Sequence, residues 1–309
     1  MPRSRAIKFG LCLFPLILTA KSAQETDGFE SLIRAGKYAE AHQTLQSYVA
    51  GHPNSWQALY QLGYVDFRLH RLQDSLTMLC KSILLKKDFS ESHKILAYDL
   101  NMLGHPELAK PELERAIQYD PSSHESHYEL GRIDYEQGSY AAAVAELEKA
   151  KLLDPTQVHT YHNLGLAYSA LNNRALAVQN FDEGLRLNDR QAQRSAWPLI
   201  DYATYLNTQR EFEKARDLLL QAIAIDKSWD QEFEELSKSY RGLNQITEAI
   251  DALKKAVALN PGKPEPHYVL SRLYAQVQRQ QDAQTELTLY QRARQAGSNA
   301  SNEPVTKEH

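Results

Sequence analysis

SHYELGRIDYEQGSYAAAVAELEKAKLLDP (Ser126–Pro155) lies over TYHNLGLAYSALNNRALAVQNFDEGLRLND (Thr160–Asp189) at a shift of 34 residues. Leu130-Gly131 falls on Leu164-Gly165, Ala143 on Ala177, Leu147 on Phe181 and Ala150 on Gly184. A fixed period of this length belongs to stacked helical hairpins, in which no unit buries its apolar face alone. Working outward, the same frame gives repeats at 22–55, 56–89, 90–123, 124–157, 158–191, 196–229, 230–263 and 264–297, with 192–195 extra to the period.

Physical chemistry explains the recurring places. The eighth is small (Gly63, Ala97, Gly131, Gly165, Ala203, Ser237, Ser271), so the first helix of a hairpin approaches the second closely. The twentieth, facing it, is Ala41, Ser75, Ala109, Ala143, Ala177, Ala215, Ala249 and Ala283. The twenty-fourth is bulky, Phe181 in one repeat and Leu in the other seven. Pro53, Pro121, Pro155 and Pro261 end second helices, where a missing N–H stops the ladder. Ser195 is the expected cap of the sixth repeat, Trp197-Pro198 its opening, and Pro111 is expected to kink or restart its helix. Asp66 and Asp134 stand where a large apolar residue is usual, and are either exposed at the rim or paired to a donor.

This pattern resembles the tetratricopeptide repeat family over residues 23–297. The resemblance implies an all-α fold, a right-handed superhelical solenoid of about eight helix-turn-helix repeats. It also implies a concave groove lined by inner positions of the first helices. These are Tyr60, Tyr64, Phe67 and Arg68 in the second repeat, Lys94, Tyr98 and Asn101 in the third, Tyr128, Arg132 and Tyr135 in the fourth, and His159, His162 and Asn163 in the fifth. Aromatics interspersed with Arg are the side chains that carry binding energy at interfaces. Chaperone-clamping members of the family use a Lys/Asn set that Lys94, Tyr98, Glu129, His159 and Asn163 do not reproduce.

The first residues read differently. Arg3, Arg5 and Lys8 precede an apolar run from Phe9 to Ala20, followed by Ser22 and Ala23. That is the form of a secretory signal peptide, 1–22, cleaved after Ser22; the run is about a dozen residues, short of the roughly 20 that span a bilayer. An uncleaved anchor is the alternative. The expected address is periplasmic or secreted, with no stable membrane insertion after cleavage. Cleavage removes four basic residues and no acid, taking Lys+Arg from 35 to 31 against 39 Asp+Glu, a net of −8. An acidic surface of that kind lacks the footprint for nucleic acid. Cys80 alone remains, so no internal disulfide forms; beside Leu79 it reads as a packed thiol. The tail 298–309 has little to bury and is expected to be disordered.

No catalytic motif is present: no Gly-rich phosphate loop, H-E-x-x-H, G-x-S-x-G or paired-cysteine spacing. No cofactor is implied. His124 and His127 share one helix, and His159 and His162 repeat their spacing on the next; they read either as metal ligands or as packing residues, since His93, His127 and His267 fill the same fourth place. The function expected is a non-enzymatic scaffold holding an extended peptide or helix of another protein. A second reading gives the tyrosines to a polysaccharide, as sugar-stacking platforms. A third, a metal-dependent enzyme, requires a pocket of titratable groups.

Overall fold

Every hairpin turns on one residue held in the left-handed region. Gly36, His70, Gly104, Gly138, Asn172, Arg210, Asn244 and Gln278 have φ between 57° and 82°, and are the positive-φ positions among the described residues. Their spacing is 34 throughout, except for 38 between Asn172 and Arg210, where the four extra residues fall. Each turn is closed by the same bond, from the following N–H to a carbonyl five residues back. Arg71 N to Asp66 O is 2.8 Å and Glu211 N to Leu206 O 2.9 Å. This is the helix-ending arrangement in which glycine is easiest to place. His70, Arg210 and Gln278 hold it with a Cβ that left-handed backbone disfavours.

The protein is seen here in a computed structural model that describes residues 28–302; the signal sequence read at 1–22 lies outside them. Contacts divide the chain into two compact units. The first, ending at Leu153, holds α1 (28–34), α2 (Tyr38–Gly51), α3 (Trp56–Arg68), α4 (Leu72–Leu85), α5 (Ser90–Met102), α6 (Pro106–Tyr119), α7 (His124–Glu136) and α8 (Tyr140–Leu153). The second, from Asp154, holds α9 (Val158–Ala170), α10 (Arg174–Asn188), α11 (Trp197–Thr208) and α12 (Phe212–Ile225). It continues with α13 (Asp230–Gly242), α14 (Ile246–Leu259), α15 (Pro264–Gln276) and α16 (Gln280–Asn302). No strand occurs among the described residues. The fold is all-α, each unit a stack of helical hairpins.

The core follows the small-against-bulky pattern. The eight residues at the twentieth place are at most 7% exposed, seven of them 0%. Leu45, Leu79, Leu113, Leu147, Phe181, Leu219 and Leu253 are buried against them. The crossing leaves no spare room: a Cβ added at Gly131 would meet Leu147 Cγ at 2.7 Å, and one at Gly165 would meet the Phe181 ring at 2.7 Å. Tyr48, at the end of the array, packs edge-on against Phe29, which is 1% exposed.

Some polar residues in the core meet partners set by the same repeat geometry. Asp134, 2% exposed, takes Lys110 Nζ at 2.6 Å, and Asp66, also 2% exposed, lies 3.2 Å from His42 Nε2. Both partners sit 24 residues back, on the preceding hairpin; in the intervening repeat the same pair of places is Leu76 and Leu100, and both are apolar. The histidines form a second set. His93, His127 and His267 each place Nδ1 2.6–2.7 Å from a glutamate nineteen residues on (Glu112, Glu146, Glu286) and Nε2 2.8–3.2 Å from a carbonyl six residues back. Both ring nitrogens thus face oxygen atoms of other elements. These rings tie first helix, second helix and preceding turn together, so they are packing residues.

Four expectations change. The sixth hairpin is capped at Ala196 with no side-chain bond, because Ser195 is held elsewhere: its N–H donates to Asn188 Oδ1 (3.0 Å) and its carbonyl accepts from Asn188 Nδ2 (2.8 Å). Helix α6 runs through Pro111 without restarting; the bond lost is one near its first turn. Cys80 is exposed, since α4 turns it away from the side on which Leu79 is buried. Helix α16 runs to Asn302, so 298–302 of the stretch read as tail are helical, while 303–309 lie outside the described residues.

Candidate binding surface

On the first helices of the first unit, the bulky side chains that are not needed at the crossing remain half-buried. These are Tyr60, Tyr64 and Phe67 on α3, Lys94 and Tyr98 on α5, and Tyr128, Arg132 and Tyr135 on α7. Their rings meet other rings in one run and two separate pairs. Tyr38 meets Tyr64 edge-on at 6.5 Å, Tyr64 meets Tyr60 at 6.5 Å, and Tyr60 meets Phe89 at 4.9 Å. Trp56 also packs against Phe89 at 4.9 Å, and Phe67 on α3 separately meets Tyr98 on α5 at 6.0 Å. Tyr135 contacts Tyr140 at 5.5 Å.

The charges here are already answered. Arg68 lies over the Tyr38 ring at 4.4 Å and donates to Tyr64 Oη at 2.9 Å. Lys94 Nζ is 2.8 Å from Glu91, and Arg132 is held between Glu129 (2.9 Å) and Glu136. Burial pushes the Tyr98 hydroxyl up from its ordinary pKa, and Glu129, Glu125 and Glu91 push it the same way; burial and Glu91 do so at Tyr60. Both phenols stay neutral donors. The surface is aromatic with an acidic surround.

Two expected members do not belong to it. His162 and Asn163 are 6% and 8% exposed. His162 is enclosed by Trp197 (4.6 Å) and Phe181 (6.0 Å), with Nε2 3.1 Å from Asp201, and Asn163 donates to the His159 carbonyl at 3.0 Å. The cause is the longer link before α11, which brings Trp197 onto His159 in a 4.5 Å stack. Neither residue lines an open face. Conversely, Tyr38, Trp56 and Phe89 join the run unanticipated, because they sit at hairpin edges and not at the inner positions. Among the described residues no group of three His, Cys, Asp or Glu side chains is arranged to hold a metal, and no helix is long and apolar enough to cross a membrane.

Comparison with known proteins adds the following. Tetratricopeptide repeat profiles match residues 26–87, 235–301 and 158–191, and a TPR repeat profile matches 131–172. No curated protein sequence matches the chain. Among solved structures, the APC/C hetero-tetramer Cut9-Hcn1 is similar with a TM-score of 0.67 at 16% identity, over 79% of this chain and 48% of that one. A tetratricopeptide repeat protein from Parabacteroides merdae gives 0.62 at 14% identity, covering 81% and 97%. Pseudomonas aeruginosa pilF gives 0.60 at 22% identity, covering 72% and 99%. At these identities the likeness speaks for the fold.

Proposed function

The chain belongs to the tetratricopeptide repeat family, and from that premise we propose that it is an exported, non-enzymatic scaffold for protein interaction. It holds an extended peptide or a helix of another protein against the first helices of residues 56–136. One observation carries this reading: the Trp56–Phe89–Tyr60–Tyr64 run and the Phe67–Tyr98 pair are more aromatic surface than the hairpin crossing requires, and they stay half-buried. Rings fixed by one another lose little freedom on binding, which is why such anchors dominate interface energies. Because Lys94 and Arg132 are already neutralised by Glu91, Glu129 and Glu136, the segment held is apolar or aromatic with basic flanks.

Affinity capture with the wild-type chain and with Tyr64→Ala/Tyr98→Ala tests the surface. The double variant loses the partner while circular dichroism stays helical; unchanged capture sinks the assignment. Export is tested by cell fractionation with N-terminal sequencing. A chain beginning at Ala23 in the envelope or medium is expected, and cytoplasmic recovery with Met1 intact counts against it.

A further inference from the structure

The third place of the second to eighth hairpins is a buried slot at the start of the first helix. It holds Ala58, Ser92, Ser126, Thr160, Pro198 and Pro266, all small or compact. In the seventh hairpin the same slot holds Glu232, which is 0% exposed and has no hydrogen-bond partner on either carboxylate oxygen. Its place in the first turn of α13 favours negative charge, yet that alone leaves the oxygens unanswered. A buried carboxylate without a donor is unfavourable unless something supplies one.

Glu232 lines a cavity of about 460 Å³ within the second unit, opened by the extra residues before α11. That volume lies within the range of small-ligand sites. Two indoles wall it, Trp197 and Trp229, the latter 61% exposed and held by Nε1–H donating to Asp226 Oδ2 at 3.0 Å. Asp201 and Asp226 add carboxylates from α11 and from the α12–α13 connection. Arg194 comes from the α10–α11 link, but its guanidinium is 2.7 Å from Asp189. Three carboxylates against one paired cation repel an anion. Indole faces beside them favour an organic cation over a hydrated metal ion.

We propose that this cavity binds an alkylammonium group, its charge on Glu232 and its carbon chain along Trp197 and Trp229. A lysine side chain of a bound peptide and a free aliphatic amine present the same chemistry. Burial, and after it Asp226, raise the Glu232 pKa to about 7, so an incoming ammonium displaces a proton and binds more tightly as pH rises through neutrality. The other charged groups on the wall are Asp201, Asp226 and Arg194, and Asp226 lies below the ordinary carboxylate range, its charge held by Ser228 and Trp229.

Isothermal titration of the full chain with cadaverine, and separately with an N-acetylated, C-amidated Gly-Lys-Gly peptide, tests the site. At least one probe saturates at pH 8, binds about tenfold more weakly at pH 6, and is lost in Glu232→Gln and in Trp229→Ala. Binding of the peptide alone assigns the group to a protein's lysine; binding of cadaverine assigns it to a free amine. Trp229 is exposed enough for its truncation to leave the fold intact, so the test stands even if Glu232→Gln lowers the melting temperature. Absence of saturation by either probe up to about 10 mM, equal affinity in both variants, or preferential binding of calcium or propionate overturns the proposal.

Discussion

The two units are built from one hairpin but put their aromatic residues to different ends. In the first, Tyr60, Tyr64, Phe67 and Tyr98 are half-buried on α3 and α5. In the second, Phe181, Tyr202 and Tyr205 are 2–6% exposed and stack on one another, Phe181 on Tyr202 at 4.8 Å and on Tyr205 at 5.3 Å. Residue type does not separate these sets; place in the repeat does. Phe181 and Tyr202 stand at the bulky twenty-fourth and seventh places, which face the crossing, whereas Tyr60 and Tyr64 stand at the fifth and ninth, which do not. The comparison teaches that folding and binding draw on different places of one repeat.

The largest expected break in the symmetry is Phe181→Ala. It removes a ring at a crossing with no spare room and is expected to lower stability by about 3–5 kcal/mol in urea melts, against roughly 1–2 kcal/mol for Tyr64→Ala. Equal losses would erase the distinction. Next is Gly131→Ala, whose new methyl displaces Leu147 and costs about 1–3 kcal/mol in the same assay. A variant that melts like wild type would mean that the crossing has slack.

Two carboxylates of the first unit sharpen the picture through pH. Burial, with Asp66 adding to it, raises Asp99 to about 7, so ionising it in the folded state is penalised. The wild type therefore loses stability as pH rises from about 4 to 7, and Asp99→Asn gains roughly 1–3 kcal/mol at pH 8 but little below pH 4. Glu146 has the opposite sign. Burial raises it, but hydrogen bonds from Lys149 and His127 prevail and leave it lowered. Its stabilisation is present above its unfolded pKa and fades as pH falls, so Glu146→Gln costs roughly 1 kcal/mol at neutrality and nothing in acid. Melts across pH 3–8 check both directions. The smallest effect is at a turn: Arg210→Gly relieves left-handed strain and is expected to add about 1 kcal/mol. A loss there would show that the arginine side chain supports its turn.

The helical hairpins were legible because the sequence repeats its steric constraints: small at eight and twenty, bulky at twenty-four. What the period repeats, it reveals. The surface was legible only in part. Tyr60, Tyr64, Phe67, Lys94, Tyr98, Tyr128, Arg132 and Tyr135 lie where a regular array puts them. His162 and Asn163 do not, because the four extra residues 192–195 carry Trp197 over their helix, and an interruption of a period says nothing of where the chain goes next. The histidine–glutamate ties required knowing that a fourth-place ring reaches the residue nineteen on. Glu232 was open to view: from the second repeat on, the column Ala, Ser, Ser, Thr, Pro, Glu, Pro has one misfit, and comparing places across repeats finds it without coordinates.

Amide hydrogen exchange on Tyr64→Ala/Tyr98→Ala beside Phe181→Ala weighs the division between folding places and binding places most directly, because damage in a repeat array spreads mainly to neighbouring hairpins. Protection in α3–α6 is expected to stay near wild type in the double variant, while α9–α12 exchange faster in Phe181→Ala. Comparable loss of protection in both would mean that the tyrosines of the first unit are core residues, and would contradict their assignment to a partner.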